Sequence, residues 1–171
     1  MKFDLNTIKR GEIEKADLEF TIDFDSIDYY GDILNIIKPI EVKGTIYNVG
    51  KRIFLTSNIK AELEVNCGRC LKDFIYPMTT KMNVELIEEG EINKDNDMDD
   101  IIVYEDNIID FDIIIKEEII ANTPMKALCS DDCKGLCSTC GANLNLNTCQ
   151  CNSNNYDNID PRLEKLKQLL D

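Results

Sequence analysis

The chain of 171 residues contains no histidine and no tryptophan, and aromatics make up only 7% of it. Without imidazole it has no side chain that ordinarily titrates near neutral pH, which removes the commonest general acid and base. No apolar run reaches the roughly 18 residues of a membrane-spanning helix. The opening stretch, MKFDLNTIKRGEIEKADLEF, lacks the apolar core of a secretory signal. No GxGxxG turn and no phosphate-cradling P-loop occurs. The expected setting is cytoplasmic, with reduced thiols, no membrane partner and no small-molecule substrate.

Positive charge is also scarce. The formal net charge is −14, from 33 acids against 19 bases. Between Glu85 and Asp112 there are 12 acids and a single base, Lys94, a net of −11, which leaves −3 for the rest. The excess is therefore one block. It reads as a solvated loop or as a face for a basic partner, such as a ribosomal protein. Its carboxylates lack EF-hand spacing. Phosphate backbones would be repelled, so strong non-specific nucleic-acid binding is disfavoured. Lys51, Arg52, Lys60, Arg69 and Lys72 are the candidates for a compensating basic patch.

The first 66 residues read as strands. Leu18, Phe20, Ile22 and Phe24 alternate with polar residues, as do Ile40, Val42 and Ile46. Ile59, Ala61, Leu63 and Val65 alternate with Lys60, Glu62 and Glu64, and Met78, Thr80, Met82, Val84 and Leu86 continue the period of two. Such a pattern predicts antiparallel pairing with one wet face. Pro77 belongs near a strand start or on an edge. Residues 88–100 read as a loop and DIIVYED as a short strand. DFDIIIKEEIIANTP predicts a helix with Phe111, Ile114, Ile115 and Ile119 on one face. Asp110 or Asp112 caps it and Pro124 ends it. A second short helix is predicted at DPRLEKLKQLLD, with Asp160 as cap, Pro161 in its first turn and Leu163, Leu166 and Leu170 on one face. The expected fold class is α+β. It comprises mostly antiparallel strands, as a meander or partly closed barrel, a zinc-stapled C-terminal segment and short helices. The expected division is a β-rich domain over 1–124 and a cysteine-rich segment over 125–171.

Against these absences stand eight cysteines. Cys67 and Cys70 form a C-x2-C pair between two alternating runs, at the tip of a predicted hairpin. Cys129, Cys133, Cys137, Cys140, Cys149 and Cys151 crowd into 23 residues. A C-x2-C knuckle turns two thiolates towards one ion, and zinc takes four ligands in a tetrahedron. Cys137, Cys140, Cys149 and Cys151 can enclose one ion locally, with Gly141 suited to the tight turn. Cys67, Cys70, Cys129 and Cys133 then form a second centre that ties the hairpin tip to the C-terminal segment. Spacing alone also admits Cys67 and Cys70 with Cys137 and Cys140. Disulfides and an iron–sulfur cluster are the competing chemistries. Cys133-x3-Cys137-x2-Cys140 has the spacing of radical SAM enzymes, but the chain is too short for their barrel. A thioredoxin-like role needs a βαβ setting that is missing. Two structural Zn2+ ions account for all eight thiols. Closed thiolate centres leave no open position for a substrate or water, so the expectation is a protein that is not an enzyme.

The chain resembles the bacterial YceD family. The resemblance is carried by PIEVKGTIYNVG (Pro39–Gly50), CGRCLKDF (Cys67–Phe74), Thr123–Pro124, CKGLCSTCGANLN (Cys133–Asn145), CQC (Cys149–Cys151) and DPRLEKLKQL (Asp160–Leu169). It implies a non-enzymatic role in ribosome biogenesis that supports 23S rRNA accumulation. The implied partner is a precursor of the large ribosomal subunit, met through 23S rRNA or through a basic ribosomal protein. An acidic module that chaperones such a protein without touching RNA is the alternative reading. The resemblance carries no catalytic residue.

Overall fold

The computed structural model describes residues 1–50, 52–91 and 101–151. In chain order the elements are β1 (Lys2–Asp4), α1 (Asn6–Lys9), β2 (Lys15–Ile22), β3 (Ser26–Tyr29), β4 (Asp32–Ile36) and β5 (Ile40–Val49). They continue with β6 (Arg52–Asn66), β7 (Asp73–Glu88), β8 (Ile101–Tyr104), β9 (Ile108–Asp110) and α2 (Phe111–Asn122). Most strand pairs are antiparallel, so the α+β class and the wet-faced sheet expected from the alternation are both present.

The long strands β6 and β7 form the spine. They pair from Ile53↔Leu86 to Asn66↔Asp73. On β6, Ile53, Leu55, Ile59, Ala61 and Leu63 are buried, while Arg52, Lys60 and Glu64 are exposed. On β7, Met78, Thr80, Met82 and Leu86 are buried. β5 and then β4 cover the other edge of β6, end to end. Pro77 lies opposite Glu62, in the part of β7 that β8 does not reach. Its missing N–H thus costs no ladder bond on that side.

Gly44 occupies the core-facing row Leu18–Gly44–Ser57–Met82. A Cβ there would lie 2.4 Å from the Thr56 carbonyl oxygen and 2.9 Å from Ser57 Cβ. β5 and β6 approach too closely at this point for any side chain, which is why this row carries a glycine.

Three features depart from the sequence reading. The sheet is open, with β2, β3 and β8 as its edge strands, rather than a partly closed barrel. β5, β6 and β7 pair in succession as the expected antiparallel meander, but β8 joins β7 in parallel, with Glu85 opposite Ile101 and Glu88 opposite Tyr104. Period-two alternation is the same for either strand direction, so it cannot reveal this. The third departure is α1, within the stretch read as strands. Four residues are too few to show a 3.6 period. Its cue is Asp4, whose Oδ1 accepts the Asn6 N–H at 2.8 Å.

α2 forms as expected. Asp110 is its cap and accepts the Asp112 N–H at 3.0 Å. Phe111, Ile114, Ile115 and Ile119 are all buried. The isoleucine run does not divert the segment into a strand, because this face closes the core over β7 and β1. Thr123 Oγ1 donates to the Ile119 carbonyl at 2.7 Å, and Pro124 follows. The predicted C-terminal helix, with Leu163, Leu166 and Leu170, lies outside the described residues. Among the described residues, no helix is long and apolar enough to cross a membrane.

Candidate metal centres

The turn between β6 and β7 carries Cys67 and Cys70. The Cys67 N–H donates to the Lys72 carbonyl at 2.9 Å, the Leu71 N–H donates to the Cys67 carbonyl at 2.9 Å, and the Arg69 N–H reaches Cys67 Sγ at 3.5 Å. Seventy residues later the pattern repeats. The Cys137 N–H donates to the Ala142 carbonyl at 2.8 Å, the Gly141 N–H to the Cys137 carbonyl at 2.9 Å, and the Thr139 N–H to Cys137 Sγ at 3.4 Å. The two C-x2-C segments are thus the same knuckle built twice. In each, the fifth residue must be left-handed: Gly141 has φ +72° and Leu71 has φ +60°.

Leu71 adopts this conformation without glycine's freedom, and its side chain is exposed. Left-handed backbone costs an L-residue about 1–2 kcal/mol. Glycine's extra unfolded-state entropy takes back about 0.5–1 kcal/mol. Leu71→Gly is therefore expected to stabilise the metal-loaded protein by about 0.5–1 kcal/mol, read as a higher urea midpoint. A lower midpoint would show that the leucine side chain packs after all.

The fold gathers the eight sulfurs into two groups, Cys67, Cys70, Cys129 and Cys133, and Cys137, Cys140, Cys149 and Cys151. Within each group every sulfur lies within 4.8 Å of the others. Cys67 and Cys133 Sγ are 3.7 Å apart, as are Cys70 and Cys129 Sγ. A tetrahedron with metal–sulfur bonds of about 2.3 Å has edges of about 3.8 Å. A disulfide is close to 2.05 Å, and all eight cysteines are free. The spacing fits a shared cation.

Backbone contacts explain why Cys67 and Cys70 meet Cys129 and Cys133. The Gly68 N–H donates to the Ala127 carbonyl at 2.8 Å, and the Leu136 N–H to the Arg69 carbonyl at 3.2 Å. The Arg69 guanidinium donates to the carbonyls of Asp131 and Cys133 at 3.1 and 3.0 Å. A Cβ on Gly68 would lie 2.9 Å from Lys126 Cγ. Cys67, Cys70 and Cys133 are buried beside Phe74, Leu128 and Leu136, apart from the main core. Arg69 is among the candidates for a basic patch, but its guanidinium is engaged by the loop carbonyls. Arg52 pairs with Glu85 at the other end of β6, some 46 Å along the strand at ~3.3 Å per residue. Arg52 and Arg69 therefore do not share a patch, and Lys51 lies outside the described residues.

The thiols in each group are electrostatically unequal. Cys67 is lowered to about 6, chiefly by the Cys129 N–H, with those of Arg69 and Cys70 adding to it against burial. Cys137 is lowered to about 6 by the N–H groups of Cys140 and Thr139. Burial pushes Cys129 up to about 12, helped by hydrogen bonds with neighbouring thiols. Cys151 is also pushed up to about 12, first by its hydrogen bond with Cys140 and then by burial. Four thiolates cannot crowd together without a counter-charge, and a divalent cation would supply it.

Glu85 and Glu88, where the acidic block begins, lie at the opposite end of β7. Glu85 pairs with Arg52, and Glu88 with Lys9. The Glu105 carboxyl is raised by the neighbouring Glu89 carboxylate and further by Asp106. Residues 92–100 of the block lie outside the described residues.

Comparison with known proteins gives a consistent family. "Uncharacterized protein YlbN" of Bacillus subtilis is 26% identical over 171 residues, 99% of this chain and 96% of that protein. A chloroplastic "Large ribosomal RNA subunit accumulation protein YCED homolog 1" from Zea mays is 38% identical over 72 residues, 40% of this chain and 25% of that protein. Its Arabidopsis thaliana counterpart is 25% identical over 146 residues, 70% of this chain and 46% of that protein. No solved structure matches the chain. The family model described as "Large ribosomal RNA subunit accumulation protein YceD" matches residues 55–170, a span that holds both knuckles and all eight cysteines, and the chain belongs to that family.

Proposed function

We propose that this chain is a non-enzymatic ribosome-biogenesis factor that supports 23S rRNA accumulation and large-subunit assembly. The observation that carries the reading is the family match over residues 55–170, together with the description that family bears. The zinc assignment rests on the donor set. Among the described residues each group offers four cysteine sulfurs within 4.8 Å of one another, and the two sulfur pairs at 3.7 Å in the first group match a tetrahedral edge. Zn2+ bound by Cys67, Cys70, Cys129 and Cys133, and by Cys137, Cys140, Cys149 and Cys151, would cross-link loops and leave no position for a substrate. With no histidine in the chain, the residues around these centres supply structure rather than proton transfer.

The test is sedimentation combined with depletion. The protein is expected to travel with large-subunit precursors, and its loss to lower 23S rRNA relative to 16S rRNA. Crosslinks are expected near Lys72, at the knuckle end. An unchanged rRNA ratio with no precursor association would overturn the proposal.

One observation favours a second reading, in which the chain chaperones a basic large-subunit protein without contacting RNA. The crowded carboxylates of Glu89, Glu105 and Asp106 lack a cation among the described contacts and raise the Glu105 carboxyl. That reading requires capture of one basic protein that survives RNase and falls with salt. It fails if neutralising these three acids leaves capture unchanged.

A further inference from the structure

Asn145 belongs to the eight-residue loop between Cys140 and Cys149, yet its side chain serves the other centre. Its Nδ2 donates to Cys133 Sγ at 3.4 Å. Its Oδ1 accepts the Lys134 N–H at 2.8 Å, which fixes the amide with its NH2 group towards the sulfur. Asn143 holds the residue in place, since its Oδ1 accepts both the Asn145 N–H and Nδ2 at 2.9 Å. The loop is laid against the first centre by the Leu144 N–H, which donates to the Gly135 carbonyl at 2.9 Å, and by an antiparallel bridge between Leu136 and Asn143. Gly135, whose carbonyl takes the Leu144 N–H, also packs closely against the β6–β7 turn. It has φ +74°, and a Cβ there would lie 3.1 Å from the Arg69 carbonyl oxygen.

We propose that Asn145 couples the two centres, so that metal held by Cys137, Cys140, Cys149 and Cys151 raises metal affinity at Cys67, Cys70, Cys129 and Cys133. The proposal rests on the metal reading above and adds to it a coupling between the two centres. The loop is anchored at both ends by ligands of one centre. Closing that centre confines the loop, and confinement holds the Asn145 amide against a sulfur of the other. A donor at a metal-bound thiolate disperses its charge and orients it, and loss of such a partner typically costs 10–100-fold in metal affinity. By linkage the effect is reciprocal.

The experiment titrates full-length protein with zinc against a competing chelator. Cobalt(II) serves as the spectroscopic probe, and cysteine alkylation reports which four thiols are unprotected. Wild type is expected to bind two ions. Asn145→Ala is expected to bind two, with the ion at Cys67, Cys70, Cys129 and Cys133 weakened 10–100-fold. Cys149→Ser is expected to empty its own centre and weaken the other by a similar factor. Combining Asn145→Ala with Cys149→Ser should then weaken the remaining ion little beyond Cys149→Ser alone. Asn145→Asp preserves shape and the Lys134 contact, but places an anion beside the thiolate, and should weaken the same ion. Coupling through Asn145 is overturned if Cys149→Ser leaves the remaining ion at wild-type affinity, if both Asn145 variants bind as wild type, or if the two losses multiply. A wild-type chain that binds no metal would instead sink the underlying metal reading.

Discussion

Stripping metal from this protein with a strong chelator is expected to release the segment 125–151 from the β6–β7 tip while leaving the sheet folded. The magnitudes decide this. The apolar groups beside the first centre are Phe74, Leu128 and Leu136, all only partly buried. Their contribution is at most about 6 kcal/mol, taking about 2 kcal/mol each. Ordering the segment's 27 residues, 125–151, costs at least about 1 kcal/mol per residue. Burial alone cannot hold the segment, whereas a structural zinc contributes on the order of 10 kcal/mol or more in small domains. Amide exchange should therefore show the Gly68, Leu136 and Cys137 N–H groups losing protection on chelation, with β5 and β6 unaffected. Cys67→Ser should lower bound zinc from two ions towards one. Loss of both ions would contradict the grouping, and full protection after complete metal removal would show that the centres are not structural.

The second large effect belongs to the main core. Phe111 is completely buried as the first residue of α2, with its ring centroid 5.0 Å from that of Phe20. Its N–H donates to the Met1 carbonyl at 2.9 Å, so the residue also joins the helix start to β1. Phe111→Ala is expected to cost about 3–5 kcal/mol, a large share of a typical total of about 5–15 kcal/mol. Two residues on, Ile113 is 57% exposed, and Ile113→Ala should change stability by less than about 0.5 kcal/mol. Urea unfolding of zinc-loaded protein measures both. Equal shifts would mean that the buried face of α2 is misassigned. Zinc stoichiometry should stay at two in both variants, because the main core and the thiol-lined cluster are separate.

Much of this was legible in the residues because it is local information. Alternation along β6 and β7 marked their buried rows, and Phe111, Ile114, Ile115 and Ile119 marked the face of α2. The position of Cys67 and Cys70 between two alternating runs put a knuckle at a hairpin tip, and Gly141 marked the turn of its twin. Less was legible where contacts join distant parts of the chain. The Arg69 guanidinium answers carbonyls at Asp131 and Cys133, and the Asn145 amide answers Cys133. Asn145 stood inside the CKGLCSTCGANLN motif with no feature of spacing to single it out. The hairpin of β3 and β4 was not singled out within the stretch read as strands, since four- and five-residue strands are too short for their alternation to stand out.

By itself, then, the sequence determined the residue types available for chemistry, the strand periodicity and the positions of two knuckles. These depend on neighbours a few residues apart. Tertiary structure alone decided the parallel placement of β8, the open sheet, and which thiols stand together. Cysteine spacing admitted two groupings, and the hydrogen bond from Gly68 to Ala127 brings Cys129 and Cys133 to the hairpin tip. Pairing across long loops reflects how the whole chain satisfies its backbone groups while burying its core, and no local pattern encodes that balance.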